Sequence, residues 1–287
     1  MLEGGAAALS SATAPLPPVT DLELGLLLEA VHRTSGFDFR DYAPAVLRRR
    51  VAERVRAEGA ATISGLQERL LHQAGAMERF VDAVTYNASS PFREPAFFAA
   101  FREQVLPRLR TFPFARIWVA GCGSGDDAYA LAILFRESNF AQRARIYATD
   151  ATESAVERAK AGFLDPSELE EYERCYREAG GTRKFTDYLD TSGEVPMYRP
   201  SLRENVVFAQ HNIATDGSFN EFHVVVVRHA LAHFNRTLAY RAHQVVYESI
   251  VRLGYLGLGA AETLRYTPHQ RAYEEVPGYP MFHRRIR

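Results

Sequence analysis

A glycine-rich loop flanked by acidic residues is the feature of this sequence best suited to chemistry. The loop runs from Gly121 to Gly125 (Gly-Cys-Gly-Ser-Gly), between a predicted strand and a predicted helix that opens with Asp126 and Asp127. Glycine lets the backbone turn tightly and approach a ligand closely. A pyrophosphate would favour the N-terminus of that helix, but two aspartates there would repel it. The loop therefore indicates a ligand with no phosphate and some positive charge, and S-adenosylmethionine (AdoMet) is the common one.

Asp150 supplies the second part of this predicted site. It ends the next predicted strand, where a carboxylate commonly binds ribose hydroxyl groups. Each feature also has a plainer explanation, because any tight turn from strand to helix can use glycine, and Asp150 can cap the helix predicted at Thr152. Taken together, the loop, the paired aspartates and Asp150 favour a cofactor site.

The elements around the loop alternate between strand and helix. Short buried apolar runs predict strands, and apolar residues spaced three to four apart predict helices. The predicted strands are residues 116–120, 144–149, 222–228 and 255–260, and the predicted helices are 126–137, 152–161 and a segment that follows the third strand and extends to Arg252. This alternation is typical of a doubly wound α/β sheet.

Two other regions differ from this pattern. Residues 21 to about 101 have apolar residues at helical spacing and almost no strand signal. Residues 184–210 hold three short β-like runs, 185–189, 196–198 and 205–209, which predict a small antiparallel insertion. We therefore expect a disordered tail (1–20) rich in Ala, Gly, Ser and Pro, a helical domain (21–95) and an α/β domain (96–287).

The composition excludes several classes of protein. The 287 residues carry a net charge of −1, with 47% apolar and 24% charged residues, which is ordinary for a globular protein and argues against one that coats nucleic acid. Cys122 and Cys175 are the only cysteines, so we expect no disulfide framework and a reducing, cytoplasmic environment. No apolar run approaches 18 residues, which argues against a membrane span. We also expect a monomer that holds no metal.

Five segments, in order, resemble one family. Residues 87–94 (NASSPFRE) resemble Asn-Thr-Thr-x-Phe-Phe-Arg-Asp, and residues 118–129 (WVAGCGSGDDAY) resemble Trp-Ser-Ala-Gly-Cys-Ser-Thr-Gly-Glu-Glu-Pro-Tyr. Residues 148–150 match Ala-Thr-Asp, and 206–208 with 212–213 resemble Val-x-Phe and Asn-Leu. Residues 222–234 (FHVVVVRHALAHF) resemble Phe-Asp-Val-Ile-Phe-Cys-Arg-Asn-Val-Leu-Ile-Tyr-Phe. From about Leu22 to its C-terminus, the chain resembles the chemotaxis-receptor glutamate methyltransferases, the CheR family.

The resemblance implies an α/β protein with an N-terminal helical domain, followed by a Rossmann-like AdoMet-dependent methyltransferase domain whose small antiparallel β insertion can dock receptor tails. It implies a protein-glutamate O-methyltransferase that uses AdoMet, releases S-adenosylhomocysteine and acts on a chemoreceptor or related bacterial signalling protein. Transferred position by position, it places the cofactor contacts on Ser89, Arg93, Gly121, Gly123, Asp127, Asp150, Asn212, Ile213, His229 and Ala230.

The reaction implied by the resemblance needs no general base, because an ionised carboxylate attacks the methyl carbon directly. Catalysis then rests on holding the nucleophile in line, on excluding water and on a cation that orients the carboxylate. Arg93 is the expected orienting residue. Its plainer role is a salt bridge with Glu94 or a helix cap.

Three histidines depart from the family's pattern. His229 replaces an Asn, His233 the active-site Tyr and His223 an Asp, while Ala88 and Pro91 replace a Thr and a Phe. His233 is nevertheless the second expected catalytic residue, and a protonated imidazole beside a sulfonium predicts activity that rises with pH. His229 and His233 also have the i, i+4 spacing of two metal ligands on a predicted helix, although a pocket-lining or core role is favoured. The alternative function is a divergent CheR-like module that binds a partner with little or no methyl transfer.

A predicted helix at residues 43–56 has a basic outer face. The arginines expected on that face are Arg48, Arg49, Arg54 and Arg56. The resemblance implies that such a helix binds the acidic methylation region of a receptor, and opposite charge supports this physically. A solvated face balanced by Glu53 and Glu58 is the plainer alternative. Nucleic acid is disfavoured, because no aromatic residues are interleaved with these arginines.

Overall fold

The computed structural model describes residues 19–85, 89–231, 233–260, 262–265 and 267–287. Residues 1–18 of the expected tail lie outside the described residues. The chain divides into two units, one formed by the described residues up to Arg40 together with Pro44–Val84, and the other by Asp41–Ala43 and Thr85–Arg287. In the described part of the chain, no helix is long and apolar enough to cross a membrane.

Helices account for the smaller unit, as their apolar spacing predicts. They are α1 (Asp21–Ser35), α2 (Pro44–Ala57), α3 (Ile63–His72) and α4 (Ala76–Thr85). The Thr20 side chain caps α1 by accepting a hydrogen bond from the Glu23 N–H, and Gly36 ends the helix in the left-handed conformation. The apolar seam of α1, from Leu24 to Val31, is buried. Burial of such seams, rather than helix propensity alone, stabilises short helices.

The arginines of α2 lie in different environments. Arg50 is buried and donates a hydrogen bond to the carbonyl oxygen of Val84. Ion pairs on the outer side include Arg48–Asp21, Arg54–Glu58 and Arg49–Glu53. The last is long, at 4.0 Å between Nε and Oε1, and the Arg49 side chain is 65% exposed. The outer face is therefore basic but partly neutralised within this unit.

A seven-stranded sheet is the framework of the larger unit. The strands of this unit are β1 (Ala115–Ala120), β2 (Ala144–Asp150), β3 (Leu189–Asp190), β4 (Met197–Tyr198), β5 (Val206–Gln210), β6 (Phe222–Val227), β7 (Ile250–Leu258), β8 (Tyr273–Val276) and β9 (Tyr279–Arg285). The large sheet has the order β5-β2-β1-β6-β7-β9-β8, and β3 pairs with β4 separately. The first five strands in that order are parallel, and β9 is antiparallel to both of its neighbours.

Helices cover both faces of this sheet. They are α5 (Pro95–Ala100), α6 (Leu106–Leu109), α7 (Asp126–Glu137), α8 (Glu153–Ala161), α9 (Leu169–Glu178) and α10 (Arg236–Ser249). Val224 and Val226 of β6 pack in the core cluster that contains α7, whereas Val225 and Val227 pack in the cluster that contains α10 residues. Because β6 is buried on both faces, apolar and polar residues do not alternate along it, which explains its unbroken run of valines.

The strand order places the functional loops together. After β1 the chain moves to β2 and β5 on one side, and then returns to β6 and β7 on the other. The resulting switch point lies between β1 and β6, and ligands of open α/β sheets bind beyond the carboxyl ends of the strands at such a point. The glycine loop follows β1, Asp150 ends β2, and His229 follows β6.

The predicted β insertion is smaller than expected. The small antiparallel sheet is present as β3 and β4, each of two residues, and the run at 185–189 is mostly a 3-10 helix, Phe185–Tyr188. The run at 205–209 was assigned wrongly to the insertion. It forms β5, which pairs in parallel with β2 from Ile146 to Asp150 and so becomes the edge strand of the large sheet.

Candidate functional site

Three left-handed glycines shape the loop after β1. The φ angles of Gly121, Gly123 and Gly125 are 72°, 53° and 88°, in the region that side-chain-bearing residues rarely adopt. A Cβ atom added to Gly121 would lie 2.5 Å from the Cβ of Ala230, so that position also has no room for a side chain. Backbone geometry and a close approach therefore both require glycine here.

Hydrogen bonds fix this loop to the end of β2. The N–H groups of Gly121 and Cys122 both donate to the Thr149 carbonyl oxygen, at 2.8 and 2.9 Å. The Gly123 N–H donates to Oδ2 of Asp150 at 2.9 Å. Burial raises the pKa of Asp150, while hydrogen bonds from Gly123 and neighbouring backbone N–H groups oppose that shift. Asp150 therefore lies against the glycine loop, as the sequence predicts.

The two aspartates at the start of α7 have different roles. Asp126 is 4% exposed and accepts a hydrogen bond from Ser124 Oγ at 2.6 Å, so it faces the interior. Asp127 instead pairs with Arg228, which follows β6. Burial raises the pKa of Asp127, and the positive charge of Arg228 opposes the shift. Arg228 balances the charge of Asp127 only in part, because it also pairs with Glu94.

A strained backbone segment presents Arg93. Its neighbours Phe92 and Glu94 both have left-handed φ angles, 55° and 57°. Such conformations cost about 1–3 kcal/mol each and persist where the surroundings enforce them. The Phe92 ring is completely buried and packs against Phe98 and Tyr176, with ring centroids 5.1 and 5.3 Å apart. This buried ring anchors the segment.

Arg228 joins that segment to the rest of the site. Its side chain is 1% exposed and contacts Asp127, Glu94 and the backbone carbonyl oxygen of Arg93. Its guanidinium carbon lies 4.6 and 5.0 Å from the ring centroids of Phe97 and Phe98. Burial works to raise the pKa of Glu94, but the charge and hydrogen bond of Arg228, together with His229 and the Ala260 N–H, outweigh it and the pKa is lowered. Arg228 therefore fixes three loops relative to one another.

His229 adopts the left-handed conformation beside Arg228, with a φ angle of 58°. Its Nε2 lies 3.0 Å from Oε1 of Glu94. Burial, reinforced by the charge of Arg93, lowers the pKa of His229, so its imidazole is neutral near pH 7. Asn and His are both enriched among residues with positive φ. This gives a backbone reason why His can stand where the family pattern has Asn.

Two depressions meet at the glycine loop, and together they form what we call the loop cleft. One is lined by residues that include Ser89, Arg93, Gly121, Gly123, Asp127 and His229, and the other by residues that include Gly121, Gly123, Asp150, Asn212, Ile213 and Ala230. All ten residues expected to contact a cofactor therefore lie along one cleft. Its enclosed volumes, about 20 and 60 Å³, are far below the roughly 300–1,000 Å³ of typical ligand pockets. A cofactor must extend into the open part of the cleft or displace side chains at its wall.

The i, i+4 spacing of His229 and His233 does not lie on a helix. α10 begins only at Arg236, capped by Asn235, so the helical spacing assumed for His229 and His233 was wrong. His223 lies at the opposite end of β6, where its Nδ1 accepts a hydrogen bond from the Arg116 N–H at 3.0 Å. Within the described ranges, no three His, Cys, Asp or Glu residues gather as a metal site would require.

His233 does not line the loop cleft. Its backbone carbonyl oxygen accepts a hydrogen bond from the Ala43 N–H at 2.7 Å. Its assignment as a catalytic residue stays a prediction. Of the first family segment, Asn87 and Ala88 lie outside the described residues.

Sequence reasoning missed two residues at this site. Arg228 carried a signal, because an arginine directly after a run of buried valines is itself expected to be buried and paired. Tyr42 carried none that we can identify. It lines the loop cleft together with Phe234, and their ring centroids are 5.2 Å apart.

The residues of the loop cleft fit AdoMet. The carboxylates of Asp127 and Asp150 suit a ligand with positive charge and ribose hydroxyl groups. The glycine cradle admits a ligand close to the backbone where any Cβ atom would intrude. These features agree with the ligand predicted from the sequence.

Family comparison decides the assignment. Residues 22–85 match the family model for the CheR methyltransferase all-alpha domain, and residues 87–279 match the model for the CheR methyltransferase SAM binding domain. The chain belongs to the CheR methyltransferase family. Its cofactor is therefore AdoMet, and the predicted order of a helical domain and a Rossmann-like methyltransferase domain is confirmed.

Known CheR-type proteins match this chain over most of their length. "Putative methyltransferase Cher3" of Pseudomonas putida is 39% identical over 257 residues, which cover 90% of this chain and 94% of that protein. A "Chemotaxis protein methyltransferase" of Listeria monocytogenes is 30% identical over 250 residues, covering 86% and 92% of the two chains. "Chemotaxis protein methyltransferase 1" of Pseudomonas aeruginosa is 29% identical over 235 residues, covering 77% and 83%.

Proposed function

We propose that this protein is a protein-glutamate O-methyltransferase that acts on chemoreceptors or related signalling proteins. The names of its relatives from Listeria monocytogenes and Pseudomonas aeruginosa, chemotaxis protein methyltransferases, support the process. The chemistry is supported by one observation above all, which is that Arg93 lines the loop cleft next to Asp127 and His229.

Arg93 offers a carboxylate acceptor a guanidinium in the same depression as Arg228. Arg228 pairs with both Asp127 and Glu94. A second guanidinium at the same place attracts an incoming carboxylate and can hold its two oxygens in a fixed plane. This positions the nucleophile without protonating it, which is what an in-line displacement requires.

In the proposed mechanism each residue of the loop cleft either positions a substrate or sets the charge around it. AdoMet supplies a methyl group on a positively charged sulfur. Asp150 accepts hydrogen bonds from ribose hydroxyl groups, and Asp127 provides negative charge near the loop. His229 stays neutral, because burial lowers its pKa, and so adds no positive charge that would repel the sulfonium. No residue has to remove a proton, since the acceptor is ionised at neutral pH.

We propose α2 as the receptor-binding element of this enzyme, through Arg48, Arg49, Arg54 and Arg56. Arg49 and Arg56 are exposed, and the Arg49–Glu53 pair is long, so these two positions offer the strongest attraction to an acidic helix. Arg48 and Arg54 are only partly exposed. Replacing Arg49 and Arg56 by Gln should therefore raise KM for the receptor more than the same change at Arg48 and Arg54.

Titration calorimetry with S-adenosylhomocysteine is the first test, because it needs no acceptor. We expect saturable binding to the full chain, abolished by Asp150→Ala and unchanged by Asp165→Ala, an exposed aspartate of the same unit. Absence of binding to the unmodified protein would overturn the methyltransferase assignment.

Transfer of a radioactive methyl group to chemoreceptor-containing membranes is the second test. We expect label that mild base releases as methanol, the signature of a carboxyl methyl ester. Arg93→Gln should lower kcat while cofactor binding persists, and Arg93→Lys should restore part of it, because the charge returns without the planar fork. Cofactor binding without base-labile label would instead support the alternative, a partner-binding CheR-like module.

A further inference from the structure

A second cavity lies on the far side of Glu94 from the loop cleft. It has a volume of about 850 Å³ and is bounded by the end of β7, the segment that follows it and the β8–β9 hairpin. We call it the β7 cavity. Glu94 lines it, while Arg228, the partner of Glu94, lines the loop cleft. The two spaces are therefore separated by this ion pair, and nothing in the proposed methyl transfer uses the β7 cavity.

Glu262 places a buried carboxylate on the wall of the β7 cavity. Its carboxylate accepts backbone hydrogen bonds from the His229 N–H and from the Leu231 N–H, the latter to Oε1 at 3.3 Å. Its Oε2 is buried and has no hydrogen-bond partner among the described residues. Burial raises the pKa of Glu262. Gly259 leaves room for this carboxylate, since a Cβ atom there would lie 2.7 Å from Oε2.

Tyr273 adds a second buried polar atom without a partner. The residue is 9% exposed and lines the β7 cavity from β8. Its hydroxyl oxygen has no hydrogen-bond partner in the described part of the chain. A buried polar group that is left unsatisfied destabilises the folded protein. Glu262 and Tyr273 both line one cavity, so a ligand that enters it and shifts these side chains slightly can donate hydrogen bonds to them.

The charges around the β7 cavity favour a cation. Glu262 and the exposed Glu275 line it together with Glu94, which is paired with Arg228, and the arginine in its lining, Arg265, is exposed. His283 also lines it, but burial lowers the pKa of its imidazole, so it is neutral near pH 7. Apolar groups complete the wall, contributed by Phe97, Leu258, Leu264 and Met281. Such a site matches a charged head group on an apolar chain.

We propose that the β7 cavity binds an organic cation, an ammonium or guanidinium group on an apolar chain, with Glu262 as its counter-charge and Tyr273 as its second polar contact. The cation is either a lysine or arginine side chain of a protein partner or a free small amine. Its head group satisfies Oε2 of Glu262, and its alkyl chain lies against the apolar wall.

Butylguanidinium is the probe for this site, and butylurea is its neutral isostere. Both are titrated calorimetrically into the full chain saturated with S-adenosylhomocysteine, and also into the free protein. We expect saturable millimolar binding of butylguanidinium and at least tenfold weaker binding of butylurea. Equal binding of the two, or no saturable binding of the cation, overturns the proposal. The assay requires no methyl transfer, so its failure is distinct from failure of the proposed function.

Three variants locate the binding. Glu262→Gln should weaken butylguanidinium binding about tenfold or more, because a charge-assisted hydrogen bond is lost in a desolvated site. Tyr273→Phe should weaken it a few-fold and leave S-adenosylhomocysteine binding unchanged, which shows that the unit is intact. Glu274→Gln, at an exposed neighbour on β8, is the matched control and should have no effect. Binding that survives both of the first two changes places the ligand elsewhere and overturns the assignment.

A kinetic arm identifies the source of the cation. It rests on the proposed function, and uses receptor in which the lysines and arginines nearest the acceptor glutamate are changed to Gln. If the changed receptor has a raised KM with the unmodified enzyme, and Tyr273→Phe does not raise that KM further, the cavity binds a side chain of the receptor. An unchanged KM, together with butylguanidinium binding, assigns it to a free amine.

Discussion

Replacing Arg228 by Met should destabilise the larger unit strongly. The side chain is 1% exposed and faces two carboxylates, those of Asp127 and Glu94, whose side chains are 14% and 30% exposed. Removing one partner of a buried ion pair costs about 3–5 kcal/mol, because an uncompensated charge remains buried. Glu94 is partly solvated, so water relieves some of this penalty. We therefore expect a loss of about 3 kcal/mol in the free energy of unfolding, together with loss of cofactor binding.

Urea denaturation monitored by circular dichroism measures this change, with Arg252→Met, at an exposed position of β7, as the control. A loss below about 1 kcal/mol for Arg228→Met would refute the reasoning, since that is the value of an exposed pair. The double variant that adds Asp127→Asn should recover part of the loss, because it removes one of the carboxylates left without a partner.

The pH dependence of this effect has a definite sign. In the folded protein the pKa of Glu94 is lowered with the help of Arg228, and the charge of Arg228 opposes the burial that raises the pKa of Asp127. The stabilisation by Arg228 is therefore present above the ordinary carboxyl range and declines as the pH falls and the carboxylates are protonated. The stability difference between Arg228→Met and the unmodified protein should shrink between pH 7 and pH 4. A constant difference over this range would show that lost packing, not charge, is the cause.

Three other changes test the site and its support. Gly121→Ala should abolish S-adenosylhomocysteine binding in calorimetry, because its Cβ would lie 2.5 Å from the Cβ of Ala230. Gly278→Ala is the control: its φ is 80° but no atom lies within 4 Å, so it should cost only backbone strain of about 1–2 kcal/mol. His229→Asn should retain the stability of the unmodified protein in urea denaturation, whereas His229→Val should lose at least about 1–2 kcal/mol, because a β-branched residue at a φ of 58° is strained. Burial lowers the pKa of His243 to about 4. The unfolded chain therefore binds a proton that the folded protein does not, and up to about 3 kcal/mol of stability should be lost as the pH falls from 6.5 to 4. His243→Leu should flatten that part of the curve of stability against pH, and an unchanged slope would contradict this account.

The loop cleft was predictable because its signals are local. The positive φ angles of the loop after β1 favour glycine at Gly121, Gly123 and Gly125. Because a parallel sheet aligns the ends of neighbouring strands, an acidic residue at the end of β2 lies beside that loop. The alternation of buried runs and helical spacing likewise specified the sheet. Each of these signals is contained within a few residues or one repeat of strand and helix.

The errors arose where long-range contacts decide the structure. Residues 205–209 became an edge strand because β2 was available as a partner, which nothing within the run itself reveals. The segment after β6 stays out of a helix because His229 takes a left-handed φ and Asn235 caps α10. The pairing of Arg228 with Glu94 spans 134 residues, and no spacing rule connects positions so far apart.

The assignment of residues Asp41–Ala43 to the larger unit has a practical consequence for dissecting this protein. Tyr42 forms an antiparallel bridge with Phe234, and Asn235 donates to Asp41 from both its backbone and its side chain, at 2.7 and 2.9 Å. A methyltransferase fragment expressed from Thr85 onward would lack this tripeptide, although the family boundary falls there. Such a fragment would expose Phe234 at the edge of the loop cleft and should bind cofactor poorly. A separate peptide covering residues 38–46 should bind that fragment and complement the defect.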